Sequence, residues 1–190
     1  MRRDKAIALA LIVVAAAPLV VATALYFGGF RPGGATNEGA LLNPIWDGSV
    51  VEWRIAEDDP RLSDARLDRW YVITLDSNNR AEDLYLSRQV VTALGRESER
   101  MGRILLTTAA LPANERAELA LEHPGLVLAQ ADVEQIKAEL IRRGAPEEIA
   151  RSGGLVLADP LGNLVLVYNN KTGKQLLKDF KRLLKASKIG

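Results

Sequence analysis

The 190-residue chain has no cysteine and one histidine. The first absence excludes a disulfide framework, a thiolate zinc site, a cysteine nucleophile and an iron–sulfur centre. The second leaves little for an imidazole-based metal centre. The glycine pairs Gly33-Gly34 and Gly153-Gly154 are not followed by Gly-Lys-Ser or Gly-Lys-Thr, so neither forms a phosphate loop. Ser87 and Ser98 lie on or beside an apolar helical face without the His–Asp partners that activate a hydroxyl, which argues against nucleophilic catalysis. Trp46, Trp53 and Trp70 are not interleaved with a basic stretch. They read as core or sheet-face aromatics, and no nucleic-acid partner is expected. With 48% apolar and 26% charged residues the composition is otherwise that of one globular domain.

One uncharged apolar run stands out. Ala6 to Phe27, AIALALIVVAAAPLVVATALYF, gives about 33 Å of helix at 1.5 Å per residue, enough for a hydrocarbon core of about 30 Å. Arg2, Arg3 and Lys5 precede it with only Asp4 opposing, so the positive-inside bias places the N-terminus in the cytoplasm and the remainder outside. Pro18 lies mid-span, where a kink is expected. The competing reading is a cleaved signal peptide ending at Ala22-Thr23-Ala24, although the run exceeds an ordinary h-region. The expected organisation is a cytoplasmic segment 1–5, a span 6–27, a Gly-rich linker 28–40 and a folded domain 41–190. Residues 171–190 carry seven basic side chains and one acidic, whereas the rest of the segment beyond residue 30 is acidic overall.

Within the domain, IWDGSVVEWRI (45–55) suggests a short hairpin or an extended lead-in, and RWYVITLD (69–76) is a central strand. Asn79 and Glu82 have capping-box spacing ahead of a helix running to about residue 101, with Leu84, Leu86, Val90, Val91 and Leu94 on one face. Strand 103–108, a helix over 111–122 opened by Pro112, and strand 125–130 continue a βαβ pattern. Asp132 caps the next helix, which Gly144 ends. GLVLADPLGNLVLVY (154–168) is a hairpin around Asp159–Asn163, and a final helix places Leu176, Leu177, Phe180, Leu183 and Leu184 on one stripe.

This order makes a mixed α/β layer fold. Together with the LADPLGNLVLVY hairpin and the N-terminal span it resembles the Sco-type copper chaperones and their thioredoxin-like relatives. NEGALLNP (37–44), LYLSRQVVTALGRESERMGRILL (84–106) and LLKDFKRLLKASKIG (176–190) are more closely similar to a family of small single-span proteobacterial proteins associated with cytochrome c oxidase assembly. The likeness covers most of 37–190. It implies a thioredoxin-like, Sco- and peroxiredoxin-related three-layer sandwich with a four-stranded sheet flanked by helices, held on the periplasmic side of a bacterial inner membrane.

The chain departs from that family at its chemistry. Sco-type proteins bind copper through two cysteines on the first strand–helix loop and a histidine before the hairpin, and closer relatives often keep the cysteine pair. Here the loop is Ser77, Asn78, Asn79, Arg80, Ala81, Glu82 and Asp83, and Arg151-Ser152-Gly153-Gly154 has neither His nor Pro. The resemblance therefore implies a non-catalytic accessory protein, without cofactor or small-molecule substrate, that contacts a protein partner in respiratory oxidase assembly. Ser77, Asn78, Asn79, Arg80 and Glu82 would face that partner, and Arg88 would orient the loop through charge-assisted hydrogen bonds. Lys178, Lys181, Arg182 and Lys185 form a second candidate surface, toward anionic lipid or an acidic partner. Two alternatives remain open: a metal carrier or redox protein with a degenerate site using Asp76, Glu82, Asp83 or His123, and an envelope scaffold unrelated to respiration. Asp76, Glu82 and Asp83 equally suit the positive end of a helix dipole, and His123 is expected to be an exposed loop residue without a role.

Overall fold

The structure, a computed structural model, describes residues 2–28, 37–48, 51, 54–55 and 69–187. They fall into two compact units divided between Thr36 and Asn37. The first contains helix α1 (Arg2–Phe27), whose segment Lys5–Phe27 has a mean hydropathy of 2.6 and is long and apolar enough to cross a membrane. Its apolar side chains, among them Leu11, Val14 and Leu19, are exposed, so within this unit they lack the apolar surroundings that burial would supply.

The second unit is built on a sheet of strands β1 (Ala40–Asp47), β2 (Arg54–Ile55), β3 (Trp70–Leu75), β4 (Met101–Thr107), β5 (Leu126–Gln130), β6 (Gly154–Ala158) and β7 (Asn163–Tyr168), in the order β1-β7-β6-β3-β4-β5-β2. Strands β3, β4 and β5 are parallel, and the remaining pairings are antiparallel. Helices α2 (Arg80–Thr92), α3 (Ala113–Glu122), α4 (Val133–Arg142), α5 (Ile149–Ser152) and α6 (Gly173–Ala186) complete it. Every side chain of WYVITL in β3 is buried, as expected for a β-branched and aromatic strand with cover on both faces. Alternation then sorts the core. Ile73, Leu75, Ile104, Leu106 and Val156 pack with Ile136 and Leu140 of α4 and Ile149 of α5. Val72, Leu155 and Leu157 pack on the opposite face with Val90 of α2 and Leu176, Phe180 and Leu184 of α6.

Several expectations are met in detail. Asp132 Oδ1 accepts the Gln135 N–H at 2.9 Å, and Gly144 leaves α4 with φ of +98°. Gly162, at φ of +89°, donates its N–H to the Asp159 carbonyl at 2.9 Å and closes the β6–β7 turn. Others are corrected. The sheet has seven strands among the described residues, not four: β3 to β7 already make five, and β1 and β2 extend its edges. Segment 45–55 is no hairpin: β1 pairs with β7 and β2 with β5, at opposite ends of the sheet. The helix through residue 101 stops at Thr92, because Gly95 turns to φ of +62° and starts a 3₁₀ turn (Gly95–Arg100), leaving Met101 to open β4. The Asn79–Glu82 capping box does not form, since Asn79 sits at φ −97°, ψ 11°, outside the extended region that aims a capping side chain at the helix. Such a box forms instead at α6, where Thr172 and Gln175 cap reciprocally. Trp53 lies outside the described residues.

The second compact unit starts at Asn37, and a carboxylate on α6 holds its first residues. Asp179, 2% exposed, accepts backbone N–H bonds from Glu38 at 2.7 Å and Gly39 at 3.0 Å, and the Tyr168 hydroxyl donates to the same oxygen at 3.2 Å. Lys178 donates to Glu38 at 2.6 Å beside it. Asp179→Ala removes all three bonds and is expected to cost about 3 kcal/mol, against about 1 kcal/mol for Tyr168→Phe. Denaturant unfolding of the detergent-solubilised chain, followed by tryptophan fluorescence, checks the order and the size of the two losses.

Candidate functional site

The corner between β3 and α2 is assembled from three chain segments. Ser77, half-buried, donates its hydroxyl to the Ser152 carbonyl at 2.9 Å and accepts the Asn79 N–H at 3.2 Å. Asn169, just past β7, donates to Ser152 Oγ at 2.7 Å and to the Gly153 carbonyl at 2.9 Å. Gly153 has φ of +67°, and a Cβ there would stand 2.5 Å from Ser77 Oγ, so only glycine permits this approach. The loop before β6 thus meets the β3–α2 loop through oxygen and nitrogen atoms already bonded to each other. Asn78, Asn79 and Glu82 remain exposed at the rim.

Arg80 is the cation that fixes this loop. It pairs with Asp76 at 3.3 Å and with Glu115 of α3. Arg88, about two helical turns beyond Arg80 on α2, donates to the Glu122 carbonyl and stacks 5.5 Å over the Tyr85 ring. Asp83 is held differently again. One of its oxygens is buried without a hydrogen-bond partner, and burial, reinforced by the Glu82 charge, pushes its carboxyl up to about 6 from 3.8. It borders a 130 Å³ cavity with Glu82, Tyr168, Asn170 and Lys171. Lys178, Lys181, Arg182 and Lys185 lie further along α6, all exposed, away from that cavity. Lys178 is paired with Glu38, and bonds from Lys178 and Gln175 keep the Glu38 carboxyl below its usual range.

His123 corrects a further expectation. It is 6% exposed, its Nδ1 is buried without a partner, and it lies where α3 turns back toward β5. Arg103, also 6% exposed, was not singled out by the sequence, although its place between Met101 and Leu105 on an alternating strand marks it as inward-facing. Ser87 is buried and donates to the Leu84 carbonyl at 2.9 Å, which commits it to the helix backbone. A larger depression of 820 Å³ lies by α4, where Arg143 pairs with Glu139 at 2.8 Å and stacks on Trp46.

A strand–loop–helix corner faced by the turn before an antiparallel hairpin is the working corner of the fold that the sequence resembles. The family model described as transmembrane-like, thioredoxin-like, C-terminal domain matches residues 70–187. The chain belongs to this family. No curated protein matches it. Among solved structures the thioredoxin-like domain is similar to Bradyrhizobium japonicum ScoI with copper bound, at 19% identity over 60% of this chain and 84% of that one, with a TM-score of 0.42. It is also similar to a thioredoxin-like superfamily protein (18% identity, 80% and 100% coverage, TM-score 0.47) and to the Xanthomonas campestris bacterioferritin comigratory protein (11%, 70% and 88%, 0.41).

The thioredoxin-like domain carries one pH-dependent strain at this corner. Asp83 keeps its proton in the folded state between about 4 and 6, where the unfolded chain has released it, so the folded state binds more protons and stability falls as pH rises through that window. The penalty is complete above about 6 and absent below 4. Asp83→Asn is therefore expected to stabilise the domain by about 2 kcal/mol at pH 7.5, allowing for partial exposure, and to change little at pH 4. Melting temperatures of the two proteins across that range test the prediction.

Proposed function

We propose that this membrane-anchored thioredoxin-like protein is a non-catalytic accessory factor that works by holding a protein partner, and that the partner belongs to cytochrome c oxidase assembly. The observation that carries the non-catalytic reading is the Ser77–Ser152–Asn169 network. Where the two loops approach face to face, Ser77, Ser152 and Asn169 spend these hydrogen bonds on one another and on the Gly153 carbonyl, which supports a structural rather than a chemical role for them. What remains accessible is a polar rim of Asn78, Asn79 and Glu82 on a rigid support, the arrangement of a recognition surface. The apolar helix α1 supports attachment to a membrane, with the domain on the periplasmic side of a bacterial inner membrane following the charge asymmetry around that helix. The link to oxidase assembly follows the sequence resemblance of segments 37–44, 84–106 and 176–190 to proteins of that process.

Deletion of the gene is expected to lower the haem a signal in reduced-minus-oxidised membrane spectra, and complementation with the triple variant Asn78→Ala, Asn79→Ala, Glu82→Ala is expected to restore it only in part. An oxidase level that is unchanged on deletion discards the assembly reading. Titration of the purified chain with Cu(I) bears on the non-catalytic reading: micromolar or tighter binding that is lost on mutating Asp76, Glu82, Asp83 or His123 overturns it.

A further inference from the structure

Helix α3 differs from the other helices of the domain in that none of its ten residues is buried. Between it and α2 runs a groove of 470 Å³, walled by Leu84, Tyr85 and Arg88 on one side and by Leu119, Glu122 and His123 on the other. A crossover helix between parallel strands usually covers the sheet with apolar side chains. Here the strand beneath presents Arg103 instead.

The polar groups gathered there are short of partners. Arg103 makes one hydrogen bond among the described residues, to the Leu84 carbonyl at 3.5 Å, and no carboxylate pairs with it. Arg88 spends one N–H on the Glu122 carbonyl. His123 Nδ1 is buried and bonded to nothing. Of the acidic groups on the walls, Glu115 belongs to Arg80, while Glu118 and Glu122 are exposed. At His123 the two nearby arginines outweigh Glu122. Burial, then the Arg88 charge, lowers the Arg103 guanidinium to about 10, and burial followed by Arg103 and Arg88 lowers the His123 imidazole, with Glu122 the weakest influence and the only opposing one.

We propose that the groove between α2 and α3 binds a small oxyanion, with Arg88 supplying guanidinium N–H groups from its wall, His123 a further donor through Nδ1, and Arg103, buried behind the wall, adding its positive charge. Guanidinium forks match the paired oxygens of phosphate and of carboxylate alike. An oxyanion here supplies the counter-charge that two neighbouring arginines lack, and it fills the space over which α3 stands clear of the sheet.

His123 is the single histidine of the chain, so ring-labelled protein reports the site without ambiguity. Full-length protein in non-ionic detergent is titrated with inorganic phosphate and, separately, with succinate, at constant ionic strength set by chloride. The expected result is a saturable change in the His123 ring resonances with one or both probes, together with a rise in its pKa of about one unit as an anion settles beside it. Which probe saturates first distinguishes phosphate from carboxylate as the preferred group. Arg88→Gln, at a half-exposed helix position, is expected to weaken the response at least tenfold, and Arg103→Gln to abolish it wherever circular dichroism shows that the variant is folded. Absence of a saturable response to both probes overturns the proposal. So does an unchanged apparent affinity in Arg88→Gln, whatever the folding of the Arg103 variant.

Discussion

The buried carboxylate of Asp179 fastens three distant parts of the domain to one another. Its hydrogen bonds reach the backbone where the domain begins, at Glu38 and Gly39, and the tyrosine that ends β7. The Tyr168 ring also packs edge-on against Phe180, at 5.8 Å between centroids, and lies under Gly39, where a Cβ would come within 2.6 Å of it. Burial and the nearby Asp179 charge raise the Tyr168 phenol above its ordinary range, so it stays a neutral donor. Edge strand β1, hairpin strand β7 and helix α6 are thereby held in one arrangement.

That arrangement supports the corner between β3 and α2. The two loops that face each other in the thioredoxin-like fold still face each other here, joined by Ser77, Ser152, Gly153 and Asn169. Arg80, bridging Asp76 and Glu115, ties α2 to the neighbouring crossover and limits movement of the loop between them. A surface that must present the same outline to a partner gains from such cross-linking, because less conformational entropy is lost on association.

How far this was legible in the sequence depends on the kind of signal. Elements with strong periodicity or explicit punctuation read correctly: the apolar run of α1, the buried strand at 70–75, the Asp132 cap, the Asp159–Asn163 turn and the stripe of α6. What did not read were features set by partners distant in the chain. Asp179 stands among lysines on a helix that looks amphipathic and basic, and nothing local reveals that residues 38 and 39 will bond to it across about 140 positions. His123 follows a polar helix and precedes proline, which suggests exposure, yet the return to β5 turns its ring inward. Arg88 and Arg80 lie two turns apart on the same helix, and only the placement of α3 decides which one reaches the corner. The edge strands are short or interrupted, so the alternation that would announce them is weak.

Gly153 has a lasting effect on what the corner can become. Its carbonyl-side loop presses against Ser77 so closely that a thiol at that position, with a longer bond to its heavier atom and poorer hydrogen bonding, would lose the contact with Ser152 and crowd the glycine. Placing a thiol at residue 77 would thus require moving a loop as well as changing one side chain.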